Sequence, residues 1–210
     1  MVDDSLQQKM IDEFFEIAYD SIVEVEPIKN CLGKKIYFMG THHIGTEKFY
    51  NNIKTKIDSL HKHGYILYFE GVRPDTTSQG FLFRRMVSKK FKKIMGKSYN
   101  INEHYNEFAS KFEGLIAQPS IDSLGGNSND INADVSERNI VEYYEQKYGA
   151  VNDSIIYQKN YEEITQDIRQ EFRNKRIYNL IKMSKHRKIV ILFGMGHKDY
   201  LLKIFREKCS

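Results

Sequence analysis

Three short stretches of the chain are almost entirely apolar, and each runs into a glycine or into an acid followed by a glycine. They span residues 36–39, 65–69 and 189–193 and are rich in β-branched and aromatic residues. Runs of this length and composition are typical of buried β-strands. The three stretches therefore predict the centre of a sheet, with the strands side by side or nearly so.

Apolar residues recur at helical spacing around these strands. Thr46 and Ser136 stand where helix N-caps are expected, and Gly64 and Gly149 stand where the same helices end. Residues 22–27 alternate like a strand, and Pro27 either ends that strand or marks a sheet edge. The predicted helices cover residues 5–19, 46–63, 101–112, 136–149, 153–183 and the C-terminal segment.

The order of the elements predicts the α/β class, with a central mixed sheet, flanking helices and a single domain over residues 1–210. Strand, helix and strand follow one another from residue 36 to residue 69, which predicts a right-handed crossover between parallel strands. Residues 79–113 differ from their surroundings, because a helical apolar stripe is interleaved with many basic residues. We expect this segment to be a helical insertion that lines one wall of a site at the strand ends.

The distribution of charge narrows the classes of partner. The 32 basic residues nearly balance the 28 acidic ones, and a net charge of +4 does not favour nucleic-acid binding. Seven basic residues and no acid lie between residues 84 and 97. This basic helix predicts a solvated face over a core stripe or, alternatively, a contact surface for an anionic lipid, an acidic substrate or nucleic acid.

The chain carries no sequence signal for a membrane or for secretion. No apolar run approaches the roughly 20 residues that a membrane span requires. The first residues are polar and acidic, and the two cysteines lie near opposite ends without forming a Cys-x-x-Cys pair. We therefore expect a cytoplasmic protein.

The predicted strands bring two histidines and one acid to their carboxyl ends. Gly40 and Gly194 each begin a Gly-x-x-His pattern, which ends at His43 and at His197, and the intervening strand ends at Glu70. In open α/β sheets, ligands bind beyond the carboxyl ends of the strands. The combination therefore predicts a functional site, although each residue taken alone is explained as well by an ordinary strand-end histidine or by a carboxylate paired with Arg73.

The neighbouring residues fit a ligand site as well. Glycines at strand ends allow a ligand or cofactor to approach the backbone closely, which gives Gly40, Gly194 and Gly196 a binding role. His42 should point away from His43 if the strand geometry persists, so we interpret it as a supporting or surface histidine.

Two chemistries are open for His43, Glu70 and His197. Two imidazoles and a carboxylate are a common ligand set for a divalent metal such as Mn, Co, Fe or Zn, which would activate a water molecule for hydrolysis. Alternatively, one histidine acts as a general base toward water without a metal, and Glu70 orients it.

These motifs resemble those of the TraB/TIKI/GumN family, whose relatives include the erythromycin-esterase-like and ChaN-like proteins, and the resemblance covers about residues 23–205. It implies an α/β fold of the erythromycin-esterase-like/ChaN-like type with a helical insertion. For the TIKI branch it implies a metal-dependent peptidase in which His43, Glu70 and His197 are essential. The matching residues are Gly40-Thr41-His42-His43, Glu70, Gln118, Asn132-Ala133-Asp134, Arg173-Asn174 and Gly194-Met195-Gly196-His197.

The resemblance adds Arg173 and Asp134 to the candidate site. Arg173 is either an ordinary ion-paired helix residue or a group that reaches the site and stabilises developing negative charge. Asp134 either caps the helix that begins near Ser136 or holds the N–H of an imidazole.

Three functions from different classes remain in view. The first is a metal-dependent hydrolase, a peptidase in particular, that acts on a peptide or small molecule, with a metal-independent esterase as its variant. The second is a haem- or iron-binding protein of the ChaN-like kind. The third is an interaction protein that has lost its site and works through the basic helix.

Overall fold

A computed structural model of the chain describes residues 4–31, 33–76, 80–96, 101–151 and 161–208. Within them the main sheet has five strands in the order β1-β2-β7-β4-β6. The three predicted apolar strands lie side by side at its centre, and each pairs with its neighbour in parallel, which confirms that prediction. The strands are β1 Val25–Cys31, β2 Lys34–Thr41, β4 Ile66–Phe69, β6 Ile131–Asn132 and β7 Lys188–Gly194.

The central strand β7 shows why these apolar runs form a sheet. Ile191 and Phe193 pack into the apolar cluster on one face, whereas Val190 and Leu192 pack into the cluster on the other face. Alternate side chains of a strand point to opposite faces, so a strand that is covered on both sides is apolar at every position.

Helices cover both faces of the sheet. Helix α2 (Glu47–Lys62) packs on one face, and its N-cap Thr46 accepts a hydrogen bond from the backbone N–H of Phe49, as the sequence predicts. Helices α7 (Asn174–Met183) and α8 (Lys198–Lys208) pack on the other face. The chain is therefore a mixed α/β protein with flanking helices.

The edge hairpin differs from the prediction in the bounds of its first strand. Strand β1 pairs antiparallel with β2, but it begins at Val25 and continues past Pro27. Pro27 thus does not end the strand. It lies at the edge of the sheet, where a residue without a backbone N–H costs no ladder hydrogen bond.

The remaining elements form two smaller clusters. Helix α3 (Phe81–Met95) packs against α5 (Glu137–Tyr148) and α6 (Tyr161–Gln166). Helices α1 (Asp4–Tyr19) and α4 (Ile101–Ala109) pack around a two-stranded sheet of β3 (Ile44–Thr46) and β5 (Leu115–Ala117). Residues 79–113 thus contain α3 and α4, and their treatment as an insertion stays a prediction.

The long helix predicted from residue 153 has an irregular centre. Residues 152–160 lie outside the described residues, and α6 begins at Tyr161. Between α6 and α7, residues Asp167–Arg173 form a π-helical turn, in which hydrogen bonds join residues five apart. Such turns shift the side chains that follow around the helix axis, and this one ends at the candidate Arg173.

The basic helix has both buried and exposed apolar residues. Val87, Phe91 and Ile94 are buried against α5 and α6, as the core-stripe interpretation predicts. Met86 is nevertheless exposed, and so is Leu82, one turn before it. Among the described residues, no helix is both long and apolar enough to cross a membrane.

Candidate functional site

The parallel register places Glu70 beside the end of β7. Its backbone N–H donates to the carbonyl oxygen of Leu192 at 3.0 Å, which extends the ladder by one residue. The backbone N–H of Gly194 in turn donates to Glu70 Oε2 at 2.6 Å. The carboxylate is therefore fixed at the boundary between two strands, where the sheet ends.

His197 reaches the same point from the turn that follows β7. Residues Met195–His197 form a 3-10 turn that runs directly into α8, and the imidazole is buried. Its Nδ1 lies 2.7 Å from Oδ1 of Asn174, the first residue of α7. In this orientation Nδ1–H donates to the amide oxygen, so Nε2 carries the lone pair.

The Nε2 atom of His197 faces the Glu70 carboxylate. It lies 3.6 Å from Oε1, which is longer than an ordinary hydrogen bond. Both atoms are acceptors when the imidazole is neutral. A proton, a water molecule or a cation between them would make the contact favourable, so this pair is a place where positive charge is stabilised.

Arg173 joins Glu70 to a second carboxylate. Its Nη2 donates to Glu70 Oε1 at 2.7 Å, and its Nε donates to Asp134 Oδ1 at 2.9 Å. A further hydrogen bond joins Nη2 to Asp134 Oδ2. Two carboxylates thus share the buried guanidinium of Arg173, and these three groups carry a formal excess of one negative charge, beside which Arg73 donates to the backbone oxygen of Asp134 at 3.1 Å.

The pKa values reflect this arrangement. Burial alone would raise the pKa of the Glu70 carboxyl, but Arg173, His197 and the N–H of Gly194 together hold it well below its usual range. Burial acts to lower the pKa of the Arg173 guanidinium, and the charges of Asp134 and Glu70 outweigh it and raise that pKa. Glu70 and Arg173 are therefore both ionised at neutral pH.

Asp134 has a different role from the two that the sequence left open. Helix α5 is capped by Ser136, whose hydroxyl oxygen accepts from the N–H of Asn139, and the partner of His197 is Asn174. Asp134 instead binds Arg173. It also accepts hydrogen bonds from the backbone N–H of Gly71 at 3.2 Å and of Val135 at 2.8 Å, which ties the loop after Glu70 to the ion pair.

His43 has different surroundings from His197. Its side chain is exposed, and its ring stacks on Tyr105 of α4 with the ring centres 4.7 Å apart. Its backbone oxygen accepts from the N–H of Gln118 at 2.8 Å. Within the part of the chain that the structure describes, no three or more His, Cys, Asp or Glu side chains are grouped as metal ligands. The structure brings Glu70 and His197 together, and among the described residues His43 does not complete a metal-ligand group with them.

His42 is a half-buried histidine, and its ring stacks on Phe49 at 4.0 Å between ring centres. Burial lowers the pKa of His42, Asp20 partly opposes this change, and His43 adds to it. The His42 ring is therefore neutral at neutral pH, and its buried Nε2 has no hydrogen-bond partner among the described residues.

The three glycines of the motifs have different surroundings. A Cβ atom at Gly40 would lie 1.9 Å from the sulfur of Met195, and one at Gly194 would lie 3.2 Å from Glu70 Oε2. The Met195 side chain at Gly40 is flexible and exposed and can shift, whereas Glu70 at Gly194 is held by hydrogen bonds, so Gly194 is the position that favours glycine. Gly196 is exposed with open space beside it, so among the three it is the position open to a ligand.

Sequence reasoning missed two contributors to the site. Asn174 was noted only as part of the Arg173-Asn174 pair, although its position next to Arg173 was the signal that could have identified it. Tyr105 stacks on His43 from a distant part of the chain, and no local pattern in the sequence marks that contact.

Comparisons of the chain with protein-family models, with curated proteins and with solved structures each find no match. The likeness to the TraB/TIKI/GumN family therefore stays a prediction that rests on the motif residues.

Proposed function

We propose that the protein is a hydrolase of peptide or ester bonds, with His197 and Glu70 at the centre of its active site. The observation that carries the proposal is the 3.6 Å contact between His197 Nε2 and Glu70 Oε1, in which each group has a further hydrogen bond that fixes its orientation. Asn174 fixes the imidazole, and Arg173 fixes the carboxylate. Groups held in this way keep their geometry during a reaction, which is a general requirement of acid–base catalysis.

His197 supports proton transfer to and from water. With Nδ1–H donated to Asn174, the Nε2 lone pair accepts a proton from a water molecule as its oxygen attacks the carbonyl carbon. The imidazolium that results lies next to Glu70 and to the excess negative charge of the ion-pair group. The same proton then passes from Nε2 to the leaving nitrogen or oxygen, which returns His197 to its neutral form.

The substrate would approach across the turn that follows β7. Met195 is exposed, and Gly196 has no side chain and open space beside it. A substrate carbonyl group bound beside Gly196 would lie next to His197, the following residue of the chain. The position agrees with the general rule that ligands bind beyond the carboxyl ends of the strands.

A second candidate is the metal-dependent form of the same hydrolase, which the excess negative charge favours. Donors bound to one metal at about 2.0–2.2 Å lie roughly 3–4 Å apart, and the two atoms at 3.6 Å satisfy this spacing. A ligand histidine also commonly donates its other N–H to an acceptor, as His197 does to Asn174.

His197 and Glu70 would hold such a metal, with His43 as the third ligand that the sequence predicts. A bound Mn, Co, Fe or Zn ion would polarise the carbonyl group and lower the pKa of a water molecule toward neutrality.

Hydrolysis assays on a peptide library and on p-nitrophenyl esters test the proposal. We expect activity in the wild type, loss of activity in His197→Ala and Glu70→Gln, and no change in His63→Ala, which alters an exposed histidine. Activity that survives a chelator supports the metal-free form, whereas loss and recovery with one added metal support the second candidate. A wild-type protein that cleaves neither class of bond, with or without added metal, would overturn both, and a haem absorption band would favour the ChaN-like alternative.

A further inference from the structure

A cavity of about 290 Å³ opens beside the two Gly-x-x-His segments. It lies between the edge hairpin, the end of α1 and the turn after β7, and we call it the Met195 cavity after the residue that separates it from His197. Its size is close to the lower end of the range for small-molecule sites, about 300–1,000 Å³.

The walls of the Met195 cavity are mainly apolar. Phe38 and Phe49 line it and are almost fully buried, at 1% and 2% exposure. Ile17, Ile22 and Met195 also line it, yet they are exposed at 54%, 69% and 47%. Large apolar side chains that gather in an exposed position around a cavity are typical of a binding site rather than of an ordinary surface.

The charged residues of the lining set the charge of the ligand. Asp20, Glu24 and Glu26 belong to the lining together with a single cation, Lys198. The Lys198 ammonium lies 2.7 Å from Glu26 and 3.8 Å from Glu24, so it is already engaged. The remaining excess of acid repels an anionic ligand and favours one that is uncharged or cationic.

The cavity shares a wall with the proposed active site. Phe38 and Gly40 lie two positions apart on β2 and so face the same side of the sheet. The side chain of Met195 rests against Gly40, and Met195 begins the 3-10 turn that ends at His197. A ligand group in the cavity would therefore lie next to the turn that carries His197.

We infer that the Met195 cavity binds an apolar group of the substrate that is uncharged or cationic, adjacent to the bond that is cleaved. This inference rests on the proposed function for the word substrate, whereas the binding of an apolar group can be tested without any activity.

Binding is measured by fluorescence titration with the neutral dye N-phenyl-1-naphthylamine. We expect the Ile17→Asp/Ile22→Asp variant to bind the dye at least about tenfold more weakly, because two carboxylates then stand at an apolar mouth. The control is Ile11→Asp, which alters an exposed residue of the same helix outside the cavity lining and should bind as the wild type does. Equal binding by all three proteins, or no binding by the wild type, would overturn the inference.

The charge preference has its own test. The wild type should bind the neutral dye more tightly than the anionic 1-anilinonaphthalene-8-sulfonate, and Glu24→Lys should narrow the difference. Glu24 is exposed, so the substitution leaves the core unchanged. Tighter binding of the anionic dye by the wild type would contradict the assignment of an uncharged or cationic ligand.

Hydrolysis of p-nitrophenyl esters from acetate to octanoate links the cavity to the active site. We expect kcat/KM to rise with chain length in the wild type and to lose this dependence in Ile17→Asp/Ile22→Asp. Dye binding that is lost in the double variant, without hydrolysis of any ester or peptide, would support the cavity and overturn the hydrolase. Hydrolysis that ignores chain length, without dye binding, would overturn the cavity and leave the hydrolase intact.

Discussion

The two Gly-x-x-His segments have the same spacing but lie in opposite environments. In the segment that follows β7, His197 is buried, donates to Asn174 and faces Glu70. In the segment at the end of β2, His43 is exposed and stacks on Tyr105. The same four-residue pattern thus produces one histidine inside the charged group and one beside it.

The difference arises from the backbone that joins glycine to histidine. After Gly194 the chain enters a 3-10 turn at once, which folds His197 back over the ends of the strands. Gly40 instead lies within β2, which continues to Thr41, and β3 begins at Ile44. A bend at His43 then leads into β3 of the second sheet. Spacing in the sequence therefore identifies candidate residues, but the local conformation decides which of them meet.

Replacing the two histidines by alanine gives the largest expected difference. His197→Ala removes the proton-transfer group and should lower kcat/KM by about 10²–10⁴-fold. His43→Ala should cause a much smaller loss, since His43 is exposed and its ring stacks on Tyr105. Steady-state hydrolysis of one substrate by both variants measures the contrast. Equal losses would remove the contrast and would favour the metal-dependent form, in which both residues are ligands.

Removing the guanidinium tests the charge arrangement behind His197. Arg173→Leu leaves Glu70 and Asp134 as two buried carboxylates without their shared cation, and should lower the free energy of unfolding by about 3–5 kcal/mol. Arg169→Leu, at an exposed position of the same π-helical turn, is the control and should change it by less than about 0.5 kcal/mol. Urea unfolding at pH 7 compares them. Similar values for both variants would mean that the buried ion pairs do not stabilise the fold.

Asn174 acts as a positioning residue for His197, and its loss should have an intermediate effect. Asn174→Ala removes the acceptor of Nδ1–H, and we expect a 10–100-fold loss of activity together with a changed tautomer ratio of His197 in nitrogen NMR spectra. Asn179→Ala alters an exposed asparagine of the same helix and should leave both measurements as in the wild type. An unchanged tautomer ratio in Asn174→Ala would contradict the positioning role.

The pH dependence of stability gives the smallest of the four effects. The pKa of Glu70 is lowered in the folded protein, so its stabilising contribution is fully present above the unfolded value of about 4.3 and is lost as pH falls through the folded value. In Glu70→Gln, Arg173 keeps Asp134 as its partner, and we expect a folded protein without this contribution. The stability difference between wild type and variant should therefore shrink as pH drops below about 4.3, in urea unfolding at stepped pH. A difference that stays constant with pH would contradict the lowered pKa.

Much of the fold could be predicted because its signals are local. The apolar runs of β2, β4 and β7 have no stable place except a sheet covered on both faces, and the helical crossover from β2 to β4 favours a parallel orientation of these two strands, which lie on either side of β7. Glu70 then reaches the sheet end simply because it follows the last apolar residue of β4. The bounds of β1 could not be predicted from alternation alone, since Pro27 fits both the end of a strand and the edge of a sheet.

The partners of the site depend on contacts between distant segments, which the sequence does not display. Glu70 pairs with Arg173 and not with the nearby Arg73, and Asp134 reaches Arg173 across 39 positions in the sequence. The role of the basic helix as a contact surface for anionic partners likewise stays a prediction. Within its described part, Lys90 is paired inside the protein with Glu145 at 2.6 Å, and Lys97 lies outside the described residues.

The π-helical turn makes the site sensitive to the length of the chain. Ile164 before the turn and Ile168 within it are packed with α3 and α5, and Ile177 after the turn is packed on the sheet. Deletion of one residue within Asp167–Arg173 would restore an ordinary helix and rotate its two halves by about 100° relative to each other. One half would then lose its packing, or Arg173 would turn away from Glu70. A substitution in this turn changes a single contact. A change of one residue in its length would instead uncouple the packing of Ile164 and Ile168 against α3 and α5 from the position of Arg173 beside Glu70.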